Sequence, residues 1–584
     1  MGDATHEMTW RLSDPGMDLL ERAGLAALYM TLQTASDVGH DLSPLKLSET
    51  DLTSEAVSVH WNGPAKHAFR RLIEYAWQVR DGILYFPAVH EELDESNWHL
   101  RVPTHNGVMR TFLQHTKVQR KGEPVSRIVK LDEGREIMVS FQPPIIPIKP
   151  WKDIDDLFDH GAFRQESVAL SSWVYPGIAR RYGGEGSWEG PPERARARGR
   201  CGRRRRRREG SWEGPPERAL LLMLAPIACL YQRLQGEGGN WVVVIPDVRD
   251  LKEFDAIRRR MTLNADFVDV ASLGDAGLQF LAEYATRSPR RDLQAGCCAV
   301  AMGRVRYYSR APQSIRKGVL NIPAELLPVK RYRILHRELP NVYVSPPREK
   351  TDSEPAQQPK RKKKAKLEKP TGREAAEDTP KAAGFITLPS GRGRIADNLV
   401  QGMPWYSNLF VPLVWDLDEL ERQRKKQRGT SLERLWFMNI AYQRSKLMRL
   451  IQEDDMWDTE AERVFVEAFW QTLDSLYAQE AGAVKRGGSR TVDERFEDLN
   501  EDIRRRLMQA KTRSLLRAAL LELFAKAGRQ KTIQAHPAAI WRLVDHPDHW
   551  QKGRDLALLA LASHRKKEKR ESGSDSALTA TKGE

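Results

Sequence analysis

The residues best suited to touching another molecule lie in one polar run. His105-Asn106-Gly107-Val108-Met109-Arg110 is followed by Gln114-His115-Thr116-Lys117-Val118-Gln119-Arg120-Lys121-Gly122. Amide and guanidinium groups carry paired donors and acceptors that can read base edges, and lysines neutralise phosphate. A nucleic-acid contact fits this pattern, and so does a solvated, glycine-containing loop. A second candidate is Leu388-Pro389-Ser390-Gly391-Arg392-Gly393-Arg394, which offers Arg392 and Arg394 on flexible backbone, suited to a phosphate contact or to a hinge. A third is the basic helix end of Arg422, Arg424, Lys425, Lys426 and Arg428, where cations also complement the helix dipole.

Bond-breaking chemistry has no comparable signal. The sequence holds no GxxxxGK[ST] loop for phosphates, no HExxH, no GxSxG and no Cys/His quartet for zinc. Asp545-His546-Pro547-Asp548-His549 reads as a capping turn between helices. Asp153, Asp155, Asp156 and Asp159 crowd together, and the acidic first turn of a surface helix explains them as well as a metal site does. No catalytic residue, metal or cofactor is expected.

The 584 residues exceed what one core supports, and 40% hydrophobic content is enough for ordinary folded domains. No apolar run approaches the roughly 20 residues of a membrane span. The N-terminus lacks the basic-then-apolar order of a signal peptide. Cys201, Cys229, Cys297 and Cys298 form no CxxC pair, so a reduced cytoplasm is the natural expectation. The net charge of +15 is concentrated. Ten arginines between Arg194 and Arg208, with no acid among them, carry +10, and Arg348–Pro370 carries +5, so the remainder sums to zero. The high pI therefore describes two segments and says little about the folded parts.

The elements that must position these residues follow from periodicity. Gly16–Thr34 and Ala65–Val79 carry apolar residues at helical spacing, while Gly82–Val89 and Glu136–Phe141 are extended. This gives an N-terminal α+β region, 1–150. The unit EGSWEGPPERA occurs at Glu185–Ala195 and again, unchanged, at Glu209–Ala219, and the arginines between the copies predict a surface loop near 194–209. The α/β texture then continues through 151–345. Ala219–Leu234 is expected as a helix, Asn240–Pro246 as a buried strand, and Gln294–Tyr308 and Tyr332–Val344 as extended, which together predict a mixed sheet with packed helices. Residues 346–384 lack aromatics and predict a basic linker, disordered because burial cannot offset its entropy. Beyond it, 385–563 predicts an all-α helical bundle. Thr430/Glu433, Thr459/Glu462 and Thr491/Glu494 read as capping boxes, each opening an amphipathic helix. Helices are also expected at Thr512–Ala527 and Pro537–Val544, and 564–584 as a disordered tail.

Three phrases carry a resemblance: HNGVMRTFLQHTKVQRKG at His105–Gly122, IIPIKPWKDIDDLFDH at Ile145–His160, and the stretch Ser172–Ala219 that opens SWVYPGIARRYGGEGSWEGPPERA. With Pro404-Trp405-Tyr406 ahead of the bundle, the chain resembles the large subunit of type I CRISPR–Cas surveillance complexes (Cascade), in the Myxan branch related to type I-B. The Arg-rich duplication departs from that pattern and leaves its local geometry open.

The resemblance implies a non-catalytic subunit that senses the protospacer-adjacent motif, helps unwind target DNA and steadies the displaced strand, while guide pairing reads the sequence. Implied partners are crRNA and target DNA, the Cascade backbone and crRNA-end subunits, and a recruited helicase-nuclease or transposition adaptor, with no membrane. A separately made small subunit could start at Met403. On this reading Lys117, Arg120 and Lys121 contact DNA near the motif, with Asn106 or Gln119 as base reader. Arg392, Arg394, Arg424 and Lys425 are further DNA contacts. Two alternatives stay open: a stand-alone DNA-binding developmental regulator and a metal-dependent nuclease.

Overall fold

The computed structural model describes residues 5–48, 50–90, 98–112, 124–130, 135–143, 168–170, 212–214, 216–235, 240–261, 265–288, 296–305, 313–345, 384–427, 430–486 and 491–564. The N-terminal elements are β1 (Thr5–Arg11), α1 (Leu19–Asp37), β2 (Leu45–Lys46), β3 (Ala56–Asn62), α2 (Ala65–Ala76), and the ribbon β4 (Gln78–Arg80) and β5 (Ile83–Tyr85). The first three strands form a small sheet in the order β1-β3-β2. A capping box opens α1: Glu21 N donates to Asp18 at 2.7 Å, and Asp18 N donates to the Glu21 carboxylate at 2.9 Å. Most of this helix is buried because its backbone lies directly against α4 (Pro216–Ala228). A Cβ on Gly24 would sit 2.1 Å from Leu221 O, so only glycine permits the approach.

Between these helices come α3 (Trp98–Thr111), the hairpin β6 (Val125–Lys130) and β7 (Glu136–Phe141), and the short pair β8 (Val168–Leu170) and β9 (Trp212–Gly214). After α4 the chain runs through β10 (Leu230–Leu234), β11 (Trp241–Pro246), α5 (Leu251–Arg260), α6 (Ala265–Val268), β12 (Asp269–Val270), α7 (Leu273–Arg287), β13 (Cys297–Val305), β14 (Gln313–Ile322) and α8 (Leu326–Glu338). Five of these strands make one sheet in the order β12-β10-β11-β13-β14, antiparallel except for the β10–β12 pair. All six residues of β11 are buried, as a strand requires when both faces are covered. α1 and α3 pack on it, and so does α7.

Two sequence expectations change here. Ala219–Leu234 is a helix only to Ala228. Pro226 sits in the last turn, its carbonyl accepts from the Tyr231 hydroxyl at 2.7 Å, and Leu230–Leu234 is drawn into the sheet by pairing with β11. Tyr332–Val344 is helical up to Glu338, because burying Tyr332 and Leu335 with Arg333 and Arg337 outside follows a period of three to four. Only β15 (Val342–Val344) is extended.

β15 pairs antiparallel with β16 (Phe385–Thr387), Val344 opposite Phe385. The basic stretch expected as a linker thus begins and ends on neighbouring strands; residues 346–383 themselves lie outside the described residues. This ribbon is fixed to β7, where the Tyr343 hydroxyl donates to Glu136 O at 2.9 Å and Gly384 N donates to the same carbonyl at 3.1 Å. α9 (Arg392–Val400) then docks on α7: Ser272 Oγ donates to Gly393 O at 3.0 Å, and Gly274 N to Asp397 at 2.8 Å.

The C-terminal region is all-helical from Leu417 to Ser563: α10 (Leu417–Lys426), α11 (Leu432–Ala441), α12 (Arg444–Gln452), a 3-10 turn (Asp454–Met456), α13 (Glu460–Lys485), α14 (Val492–Gln509), α15 (Arg513–Ala527), α16 (Lys531–Ala535), α17 (Pro537–Asp545) and α18 (Gln551–Ser563). The fold is therefore an α+β region followed by a helical bundle. α18 is buried along Leu556–Ser563 against α11, α12, α13, α14 and α17, so it forms the axis of the bundle. Of the three expected capping boxes, Thr491/Glu494 forms. Ser431, not Thr430, caps α11, and Thr459 occupies the cap position without a side-chain bond while Glu462 is buried. The bundle is riveted to the α+β region by Arg331, which reaches Asp458 at 2.7 Å and Asp455 O at 2.7 Å, and by Arg449 on Glu338 at 2.5 Å. Among the described residues no helix is long and apolar enough to cross a membrane.

Candidate nucleic-acid interface

The polar run that opens at His105 begins inside a helix, not in a loop. Its first residues complete α3, which lies so close to β10 that a Cβ on Gly107 would fall 2.3 Å from Tyr231 Cβ. His105 is buried: Leu84 N donates to its Nδ1 at 3.1 Å and its Nε2 donates to Gln142 O at 3.0 Å. Burial pushes its pKa down to about 4, so it is a neutral clamp between β5 and the end of β7. Asn106 is half-buried one residue on, and its amide donates to Ser140 O at 2.8 Å. Lys117, Gln119, Arg120 and Lys121 lie outside the described residues, a short way past the end of α3. So do Asp153, Asp155, Asp156 and Asp159, the Arg194–Arg208 stretch, and the 564–584 tail beyond His564.

Asn106 lines a cavity of about 160 Å³ between α3, β7 and β16. Arg233, Asp269, Phe385 and Ile386 are shared with a larger cleft of about 580 Å³. One wall of that cleft is the ends of β10 and β12, another is β16 with the turn after it, and the third is α10 with α11. Arg233 forks onto both Asp269 oxygens at 2.5 and 2.7 Å, and Arg422 pairs with Glu419 at 2.9 Å. On the helical wall the Asn439 amide donates to Gln423 Oε1 at 3.1 Å, and Gln423 donates to Glu419 at 3.3 Å. Asp416 accepts from Leu413 N at 2.8 Å just before α10, and burial raises its pKa to about 6.

The remaining sequence candidates separate into two kinds. Arg392 has no exposed surface, which corrects its expected role as a DNA contact. It pairs with Asp275 at 2.9 Å, and donates to the Tyr332 hydroxyl at 3.1 Å, Leu339 O at 3.2 Å and Asn341 Oδ1 at 2.7 Å. Burial works against its charge, but the Asp275 carboxylate and Tyr332 outweigh that and hold its pKa above the usual arginine range. Arg394 is half-buried and donates to the carbonyls of Val411 and Pro412 at 3.0 and 3.3 Å, tying α9 to the loop before α10. The glycine–arginine run is thus a helix start, with Gly391 at φ +85° as its cap. By contrast, Arg424 and Lys425 are exposed in the last turn of α10, Arg424 beside Glu421 at 2.7 Å.

Phe385, Trp415, Gln423 and Asn439 were not singled out by sequence. Phe385-Ile386-Thr387 is a β-type triplet after a long stretch without aromatics, and that contrast was the available signal for the ribbon. The turn at Asp545–His549 matches the expected helix connection: Asp548 N and His549 N both donate to His546 Nδ1 at 3.2 Å. Among the described residues no group of three or more His, Cys, Asp or Glu side chains is arranged to hold a metal ion.

Comparison with known proteins adds three matches. A family model described as the DevT N-terminal domain matches residues 9–197, and one described as the DevT C-terminal domain matches residues 452–584. The chain is also similar to the CRISPR-associated protein Cas8a1/Csx13 of Myxococcus xanthus (strain DK1622). The two are 26% identical over 573 residues, which is 95% of this chain and 88% of the relative.

Proposed function

The chain belongs to the Cas8 family of type I CRISPR large subunits, with DevT domains at both ends, and on that premise we propose that it senses the protospacer-adjacent motif within Cascade, helps open the duplex and steadies the R-loop. The observation that carries this reading is the near end-to-end similarity to the Myxococcus protein. A match over 95% of the chain spans the α+β region and the bundle together, so the reading applies to the whole polypeptide.

In this reading the guide RNA supplies sequence recognition by base pairing, and the protein handles shape, charge and the short motif. Lys117, Arg120 and Lys121 follow α3 and neutralise backbone phosphates, while Gln119 or Asn106 reads a base edge. Arg424 and Lys425 give the bundle a cationic rim for the displaced strand. The partners are crRNA, target DNA, the backbone and crRNA-end subunits, and an effector that does the cutting or directs transposition. The chain itself performs no bond-breaking step, and its place of work is the cytoplasm.

The discriminating experiment measures binding of duplexes with and without the motif by the chain alone and by the guide-loaded complex. Lys117→Ala should lower affinity for all sequences and reduce the salt slope by about one. Replacing the true reader, Gln119 or Asn106, should relax motif choice at about 1–3 kcal/mol for the lost base contact. Tight, operator-like binding by the isolated chain without RNA would replace this reading with that of a stand-alone regulator.

A further inference from the structure

In the larger cleft the lining cations are already neutralised. Arg233 is held by both oxygens of Asp269, and Arg422 by Glu419. A phosphate placed there would have to break two ion pairs and approach Asp416 as well. What the cleft offers instead is aromatic surface and amide edges. Phe385 is 56% exposed on β16, and Trp415 is half-buried in the loop before α10, on a different wall. Asn439 and Gln423 form a ladder along the helical wall, and each spends only part of its donor and acceptor capacity there. Flat π surfaces beside amide groups suit an unstacked nucleobase, which needs a stacking partner and edge contacts. A volume of about 580 Å³ lies in the range of roughly 300–1,000 Å³ typical of ligand sites.

We infer that this cleft receives unstacked bases of a single polynucleotide strand, whose phosphates stay outside on the exposed Lys425 and Lys426 of α10. The inference rests on the reading of the chain as a polynucleotide-handling subunit and adds to it a named site for bases. Duplex DNA cannot use the cleft, since its bases are stacked and their faces covered. An acidic peptide would lack free cations in it, and an apolar peptide would strip water from the amide ladder and the two ion pairs without replacing its hydrogen bonds.

Fluorescence anisotropy of the full chain within the guide-loaded complex tests this. The probes are a mixed-sequence single strand and a strand of equal length made of abasic sites. Phe385→Ala removes an exposed ring and leaves the core alone. It should weaken binding of the mixed strand by about 5- to 150-fold, the loss of one base–aromatic stack, with the abasic strand and the salt slope unchanged. Phe385→Trp should restore binding. A Lys425→Ala/Lys426→Ala variant should weaken both strands alike and flatten the salt slope. If Phe385→Ala binds the mixed strand as well as the parent while the lysine variant is impaired, the cleft is no base site and the polynucleotide reading survives. If neither strand is bound under any condition, the polynucleotide reading itself fails. If a peptide from a partner subunit competes at the cleft and the strands do not, the occupant is a protein and the inference is overturned.

Discussion

Replacing Arg392 by methionine removes one half of a completely enclosed ion pair. Arg392 and Asp275 both have 0% side-chain exposure and lie 2.9 Å apart. Methionine fills much of the same volume, but it leaves the Asp275 carboxylate with only Ala271 N at 2.8 Å and the Tyr332 hydroxyl at 2.8 Å. It also strips donors from Leu339 O and Asn341 Oδ1. Breaking one side of such a pair costs about 3–5 kcal/mol, and the two donors that remain favour the lower end. Adding Asp275→Asn removes the orphaned charge, keeps an oxygen that accepts from Ala271 N and turns the amide NH2 toward the Tyr332 hydroxyl, which can accept in place of donating, so the double variant should recover a large part of the loss. Urea unfolding followed by tryptophan fluorescence reads both effects as shifts in midpoint. Below the transition, the polynucleotide affinity and salt slope of Arg392→Met should equal the parent's, because the side chain has no exposed surface. A parent-like unfolding midpoint, or a reduced salt slope in the folded variant, would refute the structural assignment of Arg392.

Three further outcomes follow from the same geometry. Thr491→Ala should cost about 1 kcal/mol in thermal or urea unfolding by removing a complete capping box, whereas Thr430→Ala should change nothing, since Ser431 caps α11. Asp416 has a folded pKa of about 6, above its unfolded value, so its burial penalises the charged form. Asp416→Asn should therefore be more stable than the parent above pH 6 by about 1–2 kcal/mol after allowance for partial exposure, with the gap closing as pH falls toward about 4. A gap that widens on acidification would reverse the assignment. Proteolytic nicking within 346–383 should leave both fragments co-eluting in size-exclusion chromatography, held by the β15–β16 pairing, the docking of α9 on α7 and the Arg331 contacts; separation of the fragments would show that these contacts do not hold the halves together.

Periodic burial made α1, α2, β11 and the long helices of the bundle legible, because each buries a regular set of apolar residues: Phe469 and Leu473 of α13 and Ile503 and Leu507 of α14 obey the helical spacing. Tertiary pairing decided the rest. Leu230–Leu234 is apolar enough to extend a helix, and only its register with β11 makes it a strand. The Gly391–Arg394 run looks like a flexible phosphate loop in sequence. Its first arginine instead answers a buried aspartate 117 residues earlier, a contact no local pattern announces. The cleft was illegible for the same reason: Phe385 and Trp415 come from segments on either side of α9, and Arg233 from a strand far upstream. Asn106 was visible as a polar side chain, yet its helical setting depends on Gly107 packing against Tyr231.

The most direct measurement follows strand opening in target DNA by a guide-loaded complex reconstituted with and without this chain, using permanganate reactivity of the displaced strand on duplexes that carry or lack the motif. With the chain present, reactivity should appear on the motif-bearing duplex and stay low on the other; without it, both should remain closed. Equal opening in its absence, or strand scission by the chain alone, would contradict a non-catalytic subunit that senses the motif and steadies the opened strand.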